Sequence, residues 1–407
     1  MAYLLRLVWL FYAQTVPVSD FNDYRTLAAD LLDHRQFGYP ERTSFFLPMH
    51  PVLLSMLMLV SRSDLWLSHG TVLLSTASVA LVYILGREVF SEDRPALLAA
   101  SLVAFLPLFV LFSPVLATEH LFLVLMLLGL IGVLKAKSWR GMVLSGVAIG
   151  LAALTRGEAV FYIPAIAVVI WFDRLRDRVV PRQRLLLIVC FFGAFVGTLV
   201  PWTLRNATVI APDAGLSASA GVNFYFAHNS SGIYGYFPEG SPLDGLPAAE
   251  ASRLGWSLAF AYLQENPLRL FSDVRVGIRE LFKPPDYALF WSTQQVEYRG
   301  DPNFRQKPLR FLGILGELNR VTAAMLVTLA VASLLAARWW PGRLWTVVLG
   351  PVVSVIVLRT VIYWAKPRYR FFMDVILTLL AGVTIHLLLS VRRPGEEAGR
   401  PAEVTSP

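Results

Sequence analysis

The 407 residues are 56% hydrophobic and 16% charged, which leaves too little polar surface to cover a soluble globule of this size, so most of the chain is expected in lipid. The formal charge of +8 falls in short Lys and Arg groups between apolar segments, the pattern of orientation signals and not of a nucleic-acid reading surface. Cys190 is the single cysteine, which excludes a disulfide framework and a thiolate metal site.

Met1 to Val16 carries Arg6 in its middle and lacks a small-residue cleavage pattern, so it reads as a membrane helix and not a removed signal. At about 1.5 Å per residue it reaches ~24 Å, short of a bilayer core of about 30 Å. Further apolar stretches recur at 65–86, 96–113, 119–134, 141–155, 158–172, 185–204, 313–336, 344–363 and 371–391, about ten passes in all. With the N-terminus inside, Arg87 and Arg94, Lys135, Lys137 and Arg140, the arginines from Arg174 to Arg184, Arg338 and Arg343, and Arg392 and Arg393 all fall in the cytoplasm. This orientation makes 141–171 cross twice in short helices and puts Leu154 to Glu158 near the outer face. Pro48 to Val60 is apolar but too short to span and reads as interfacial or re-entrant.

The fold class is therefore an all-α polytopic membrane protein, with interfacial amphipathic helices in two outer loops. The divisions expected are an N-terminal transmembrane module, 1–204, including the first outer loop, 17–64; a second outer loop, 205–310; C-terminal helices, 311–393; and a polar, disordered cytoplasmic tail, 394–407. In the first loop Tyr24, Leu27, Ala28, Leu31 and Leu32 keep the spacing of an amphipathic helix lying on the membrane. In the second, Leu270, Phe271, Val274, Ile278, Leu281 and Phe282 form a like stripe over 267–283, while 211–250 is rich in Gly, Ser, Ala and Pro and reads as irregular.

Asp20 stands where helix one leaves the bilayer. A carboxylate there, partly desolvated, can act as a general base on an acceptor hydroxyl, or Ser19 or Asp20 can cap the following helix with Asp23 three residues on. Glu119, at the outer start of the fourth span, either faces a cavity or answers a helix dipole. Lys366, Arg368 and Arg370 lie on the outer side, against the positive-inside bias, and such a cluster calls for an anion, either a bound lipid phosphate or generic headgroups; Arg156 joins it from a short outer turn. The run Gly221 to Asn229 combines Asn223 and Asn229 with Tyr225 and two phenylalanines, suited to a sugar or to loop packing. Asn206 with Thr208 and Asn229 with Ser231 match the glycosylation sequon, and no phosphate loop, HExxH pair or nucleophile elbow is present.

Taken in order, Ser19 to Tyr24, Leu47 to Pro51, Ala117 to Phe122, Gly150 to Arg156, Pro201 to Asn206, Gly221 to Asn229 and Pro367 to Arg370 resemble the glycosyltransferase C (GT-C) superfamily. The likeness is to its bacterial branch of protein mannosyltransferases, aminoarabinose transferases and RgtA/B/C/D-like enzymes, family 39-like. The resemblance implies a polyprenyl-phosphate sugar donor, inverting transfer to a glycan, lipid or protein acceptor, Asp20 as catalytic base, Glu119 as the second acid and Arg368 as a phosphate contact. Asp23, Tyr24, His50, Arg156, Asn223, Tyr225, Asn229, Lys366, Tyr369 and Arg370 are the substrate-binding candidates, and the charge topology puts the site on the outer face of the inner membrane. Phe21 stands where a second acid often follows the first Asp, and Met49 and His50 replace a more usual pair. No cofactor and no metal ligand are assigned, and a divalent Mg or Mn ion is left open. A non-enzymatic carrier of lipid-linked saccharides is the rival reading.

Overall fold

The structure is a computed structural model, and it describes residues 1–38, 45–90, 92–176, 179–230, 234–235, 240–293 and 309–391. The tail 394–407, Arg178, Arg392, Arg393 and Ser231 lie outside these. Among the described residues the chain is helical and has no strand. In order the helices are α1 (Ala2–Ala13), α2 (Asp20–His34), α3 (Met49–Met58), α4 (Asp64–Phe90), α5 (Asp93–Phe105), α6 (Pro107–Leu111), α7 (Thr118–Lys135), α8 (Trp139–Ala153) and α9 (Ile163–Arg176). They continue as α10 (Pro181–Val209), α11 (Ala220–Ala227), α12 (Ala248–Glu265), α13 (Arg269–Leu281), α14 (Tyr287–Thr293), α15 (Leu309–Ala332), α16 (Gly342–Val357) and α17 (Phe371–Val391).

Each expected apolar stretch falls largely in helix. Among the described residues five segments are long and apolar enough to cross a membrane: 64–90, 118–135, 181–209, 310–337 and 367–390. The others are shorter or broken. The stretch 96–113 is divided at Pro107, which cannot donate to the helical ladder, into α5 and α6. The opened carbonyls are met by side chains of other helices. Arg6, fully buried on α1, donates to Val103 O at 2.8 Å, Ala104 O at 3.0 Å and Ser75 Oγ at 2.9 Å. Trp9 Nε1 reaches Leu111 O at 2.8 Å and Thr71 Oγ1 reaches Ser113 O at 2.9 Å. An arginine within an apolar helix is expensive in lipid, and here it replaces the hydrogen bonds a proline removed.

Close helix approach is set by missing side chains. Gly146 and Gly150, four apart on α8, face α10; a Cβ at Gly146 would collide with Phe191 O, and one at Gly150 would lie 2.7 Å from Thr198 Cβ. The same device overturns one expectation. Residues 211–250 are not irregular throughout, because Val222, Phe224, Tyr225 and Phe226 form α11 and pack on α12, with Gly221 crossing Gly255. Small residues that read as loop in the sequence are the contact points of two helices. α13 matches the expected amphipathic helix, with Leu268 and Phe271 exposed and Gly277 and Leu281 buried.

Candidate active site

Asp20 opens α2 behind Ser19, whose backbone is at φ 53° and ψ −138°, a conformation costly for a residue with a Cβ. The Ser19 side chain makes no bond to the first amides, so the capping alternative is not realised there. The strained turn delivers Asp20, half-exposed, to the rim of a cavity of about 690 Å³ that also receives Tyr24, Arg156, Arg359, Arg368 and Tyr369.

Glu119 reaches the same place from the first turn of α7. The segment before it, 112–117, is not helical, and its carbonyls are held by two buried histidines: His120 Nε2 contacts Phe112 O at 3.0 Å and His50 Nε2 contacts Leu116 O at 3.1 Å. Arg156 comes from the turn after α8, whose Leu154 carbonyl accepts from Met49 N at 3.1 Å. Arg368 lies on a 3-10 turn, Pro367–Arg370, that leads into α17. Arg359 lies on a π-helical turn, Leu358–Ile362, that ends α16; such turns concentrate at functional sites.

These groups form one chain of alternating charge. Arg359 pairs with Glu158, which Arg156 Nε also meets at 2.9 Å; Arg156 Nη1 contacts Glu119 at 2.7 Å; Arg368 Nε contacts Glu119 at 3.1 Å and its Nη2 lies 3.6 Å from Asp20. The side chains of Glu119 and Glu158 are 4% and 6% exposed, whereas that of Asp20 is 48% exposed. Burial works against the charge of Arg156, but the Glu119 and Glu158 carboxylates outweigh it and raise its pKa. Tyr369 is the common platform: the guanidinium carbons of Arg359, Arg368 and Arg156 lie 4.1, 5.6 and 5.7 Å from its ring centre. Desolvation first, then the Asp20 carboxylate, push the Tyr24 phenol well above its ordinary pKa, so Tyr24 stays neutral at physiological pH.

The remaining candidates are placed differently. Asn223 lines the cavity and accepts from Trp364 Nε1 at 2.7 Å. Tyr225 and Asn229, on another face of the helical run, are buried, with Asn229 Nδ2 on Tyr225 O at 3.0 Å. Arg370 turns away from its neighbour Arg368. It is buried, pairs with Asp374 at 3.1 Å and donates to Leu281 O and Lys283 O, so it fastens α13 to α17 and is not at hand for a phosphate. His50 is buried under Tyr24, ring centres 5.3 Å apart, and acts on the 112–117 segment and not on a substrate. Lys366 stands over the Trp364 ring at 5.6 Å, and neither it nor Asp23 is among the residues lining the cavity. Asn206 of the first sequon is buried, bonded to Gly215 O and Leu216 O.

Sequence reading missed Arg359, Trp364 and the role of Glu158. Arg359 had a signal: it is an ionisable group inside the apolar stretch 344–363. Among the described residues no three His, Cys, Asp or Glu side chains come together, and Glu119 already meets two guanidiniums. This cationic surrounding does not suit a divalent Mg or Mn ion.

Residues 46–202 match the family model for dolichyl-phosphate-mannose-protein mannosyltransferases. The match takes in Glu119, Arg156 and Glu158. No curated protein matches the chain in sequence. Among solved structures the chain resembles the Archaeoglobus fulgidus oligosaccharyltransferase. Its apo form has TM-score 0.52 and 15% identity over 96% of this chain and 50% of that one. Its complex with an inhibitory peptide and a dolichol-phosphate has TM-score 0.51 and 15% identity over 99% and 52%. ArnT from Cupriavidus metallidurans bound to undecaprenyl phosphate gives TM-score 0.42 and 16% identity over 94% and 77%. The chain spans about half the length of the oligosaccharyltransferase it superposes on. Over residues 46–202 the chain carries the pattern of the mannosyltransferase family, and over nearly its whole length it shares the fold of the Archaeoglobus fulgidus oligosaccharyltransferase.

Proposed function

We propose that the chain transfers a sugar from a polyprenyl-phosphate donor to an acceptor hydroxyl or amine at the non-cytoplasmic face of the inner membrane, in cell-envelope glycan or glycoprotein synthesis. The observation that carries this is the meeting of Asp20 and Arg368, 3.6 Å apart, at one cavity. The acceptor oxygen or nitrogen bonds to the anomeric carbon as the carbon–oxygen bond to phosphate breaks. The electron pair leaves with the lipid phosphate and the acceptor proton goes to Asp20. Attack from the face opposite the leaving phosphate inverts the anomeric centre.

The charge inventory suits that donor. Arg156, Arg359 and Arg368 face the two nearly buried carboxylates Glu119 and Glu158, leaving one positive charge beside the half-exposed Asp20. A phosphodiester carries one negative charge. Arg368, held by Glu119 and by the Tyr369 ring, is preorganised to bind it and to stabilise the second charge that develops as it leaves. Glu119 has both guanidiniums as partners, so its role is to fix them and not to accept a proton. Trp364, Asn223 and Trp256 supply aromatic faces and an amide on the cavity wall away from the charges, suited to sugar rings.

The test is Asp20→Asn. Transfer from a donor the wild type accepts should fall by about 10²-fold or more while donor binding persists. Normal turnover in Asp20→Asn would remove the base, and donor binding without turnover in the wild type would favour a carrier.

A further inference from the structure

Glu158 meets only guanidinium groups and is assigned no contact with the donor or the acceptor in the proposed transfer. It lies on the 3-10 segment Gly157–Tyr162, lines the cavity, is 8% exposed and is clamped between Arg156 and Arg359. A carboxylate at an anion site weakens anion binding unless its charge is wanted there. The cavity of about 690 Å³ has room for more than one phosphoryl group, so size does not limit the number of charges on the donor. Charge does. Arg359 is nearly buried, its Nε has no hydrogen-bond partner, and it stacks on the same Tyr369 ring as Arg368, so without Glu158 its positive charge would act on the phosphate pocket unopposed.

From this geometry we infer that Glu158 is a specificity-determining residue: by cancelling Arg359 it leaves the three guanidiniums only one charge in excess of Glu119 and Glu158 beside Asp20, and so restricts the donor to a single phosphate, against diphosphate-linked donors. The inference rests on the lipid-phosphate reading above. It names the Glu158–Arg359 pair, and not Arg368, as the element that counts donor charge. One further unit of charge within a few ångströms, in surroundings of intermediate dielectric, is worth on the order of tenfold or more in relative affinity for an ion with an additional charge.

The experiment measures affinities of the full-length protein in nanodiscs for two probes. Farnesyl methyl phosphate is a phosphodiester with one charge, and P1-farnesyl P2-methyl diphosphate has two. Wild type is expected to favour the first. Glu158→Gln should shift the ratio toward the second by about tenfold or more. Glu158→Asp should keep the wild-type ratio, and Glu158→Gln with Arg359→Gln, which restores the charge count, should return it to within about threefold of wild type. If Glu158 only props Arg156 in place, Glu158→Gln weakens both probes together at an unchanged ratio, and the proposal is overturned. It is overturned equally if the double variant shifts the ratio as far as Glu158→Gln alone. Should Glu158→Gln not fold, Arg359→Gln decides: the ratio must move further toward the singly charged probe, and no movement refutes the idea. Wild type that binds neither probe defeats the lipid-phosphate reading itself, a result distinct from binding with an unmoved ratio.

Discussion

Arg368 and Arg370 are two residues apart and, in sequence, equivalent members of one cationic cluster. The 3-10 turn sends them in opposite directions. Arg368 enters the cavity beside Asp20, whereas Arg370 enters the core, where Asp374 and two carbonyls at the end of α13 use its donors. Two different phenotypes follow. Arg368→Ala should raise the donor KM by about tenfold or more through loss of a charged phosphate hydrogen bond, with thermal stability little changed. Arg370→Ala should leave Asp374 buried and unpaired at a cost of about 3 kcal/mol or more, visible as a lower melting temperature, with donor KM retained in the protein that folds. Equal donor KM effects in the two variants would merge residues that the geometry separates. The local sequence distinguishes them only by Asp374, four residues after Arg370; the carbonyls that complete Arg370's partners lie more than 80 positions away.

At the level of elements, the sequence carried the helices and lost their breaks. Apolar length alone located 64–90, 118–135 and 371–391, since a stretch that must satisfy its own backbone in lipid has no alternative to a helix. It did not locate the divide at Pro107, nor the use of Arg6 to repair it, because a proline in an apolar run can be accommodated in several ways. It also took Gly221 to Asn229 for a loop, since glycine lowers helix propensity whether or not another helix crosses it. Asp20, Glu119 and Arg368 were legible as charges at the ends of apolar stretches. Arg359, inside one, was passed over although that position makes an ionisable group more informative. The Pro107 divide has its own test. Arg6→Met keeps the apolar bulk but leaves the Val103 and Ala104 carbonyls without their donor, so stability should drop by roughly 2 to 5 kcal/mol, read as a lower midpoint in thermal unfolding. An unchanged midpoint would mean that those carbonyls find other partners.

For the whole molecule, the proposal stands on which side of the membrane the cavity opens. α7 carries Glu119 in its first turn and Lys135 at its last residue, and 18 residues at about 1.5 Å each give ~27 Å, close to the thickness of a bilayer core. The Asp20 cavity and the Lys135 end of α7 therefore belong to opposite leaflets. The Lys135 end gathers Lys137, Arg140 and Arg343, and Trp139, 52% exposed, stacks with Arg140 there as a headgroup-level aromatic would. We propose, on the positive-inside bias, that this end faces the cytoplasm and the Asp20 cavity the outside. Single cysteines test the assignment in a Cys190→Ser background. Arg253→Cys lies at the cavity rim, where Arg253 is 61% exposed, and Lys137→Cys lies at the exposed opposite end. A membrane-impermeant maleimide applied to intact spheroplasts should label Arg253→Cys and reach Lys137→Cys only after permeabilisation. The reverse pattern would turn the cavity toward the cytoplasm, where a soluble nucleotide-linked sugar could reach it and the need for a lipid-carried donor would lapse.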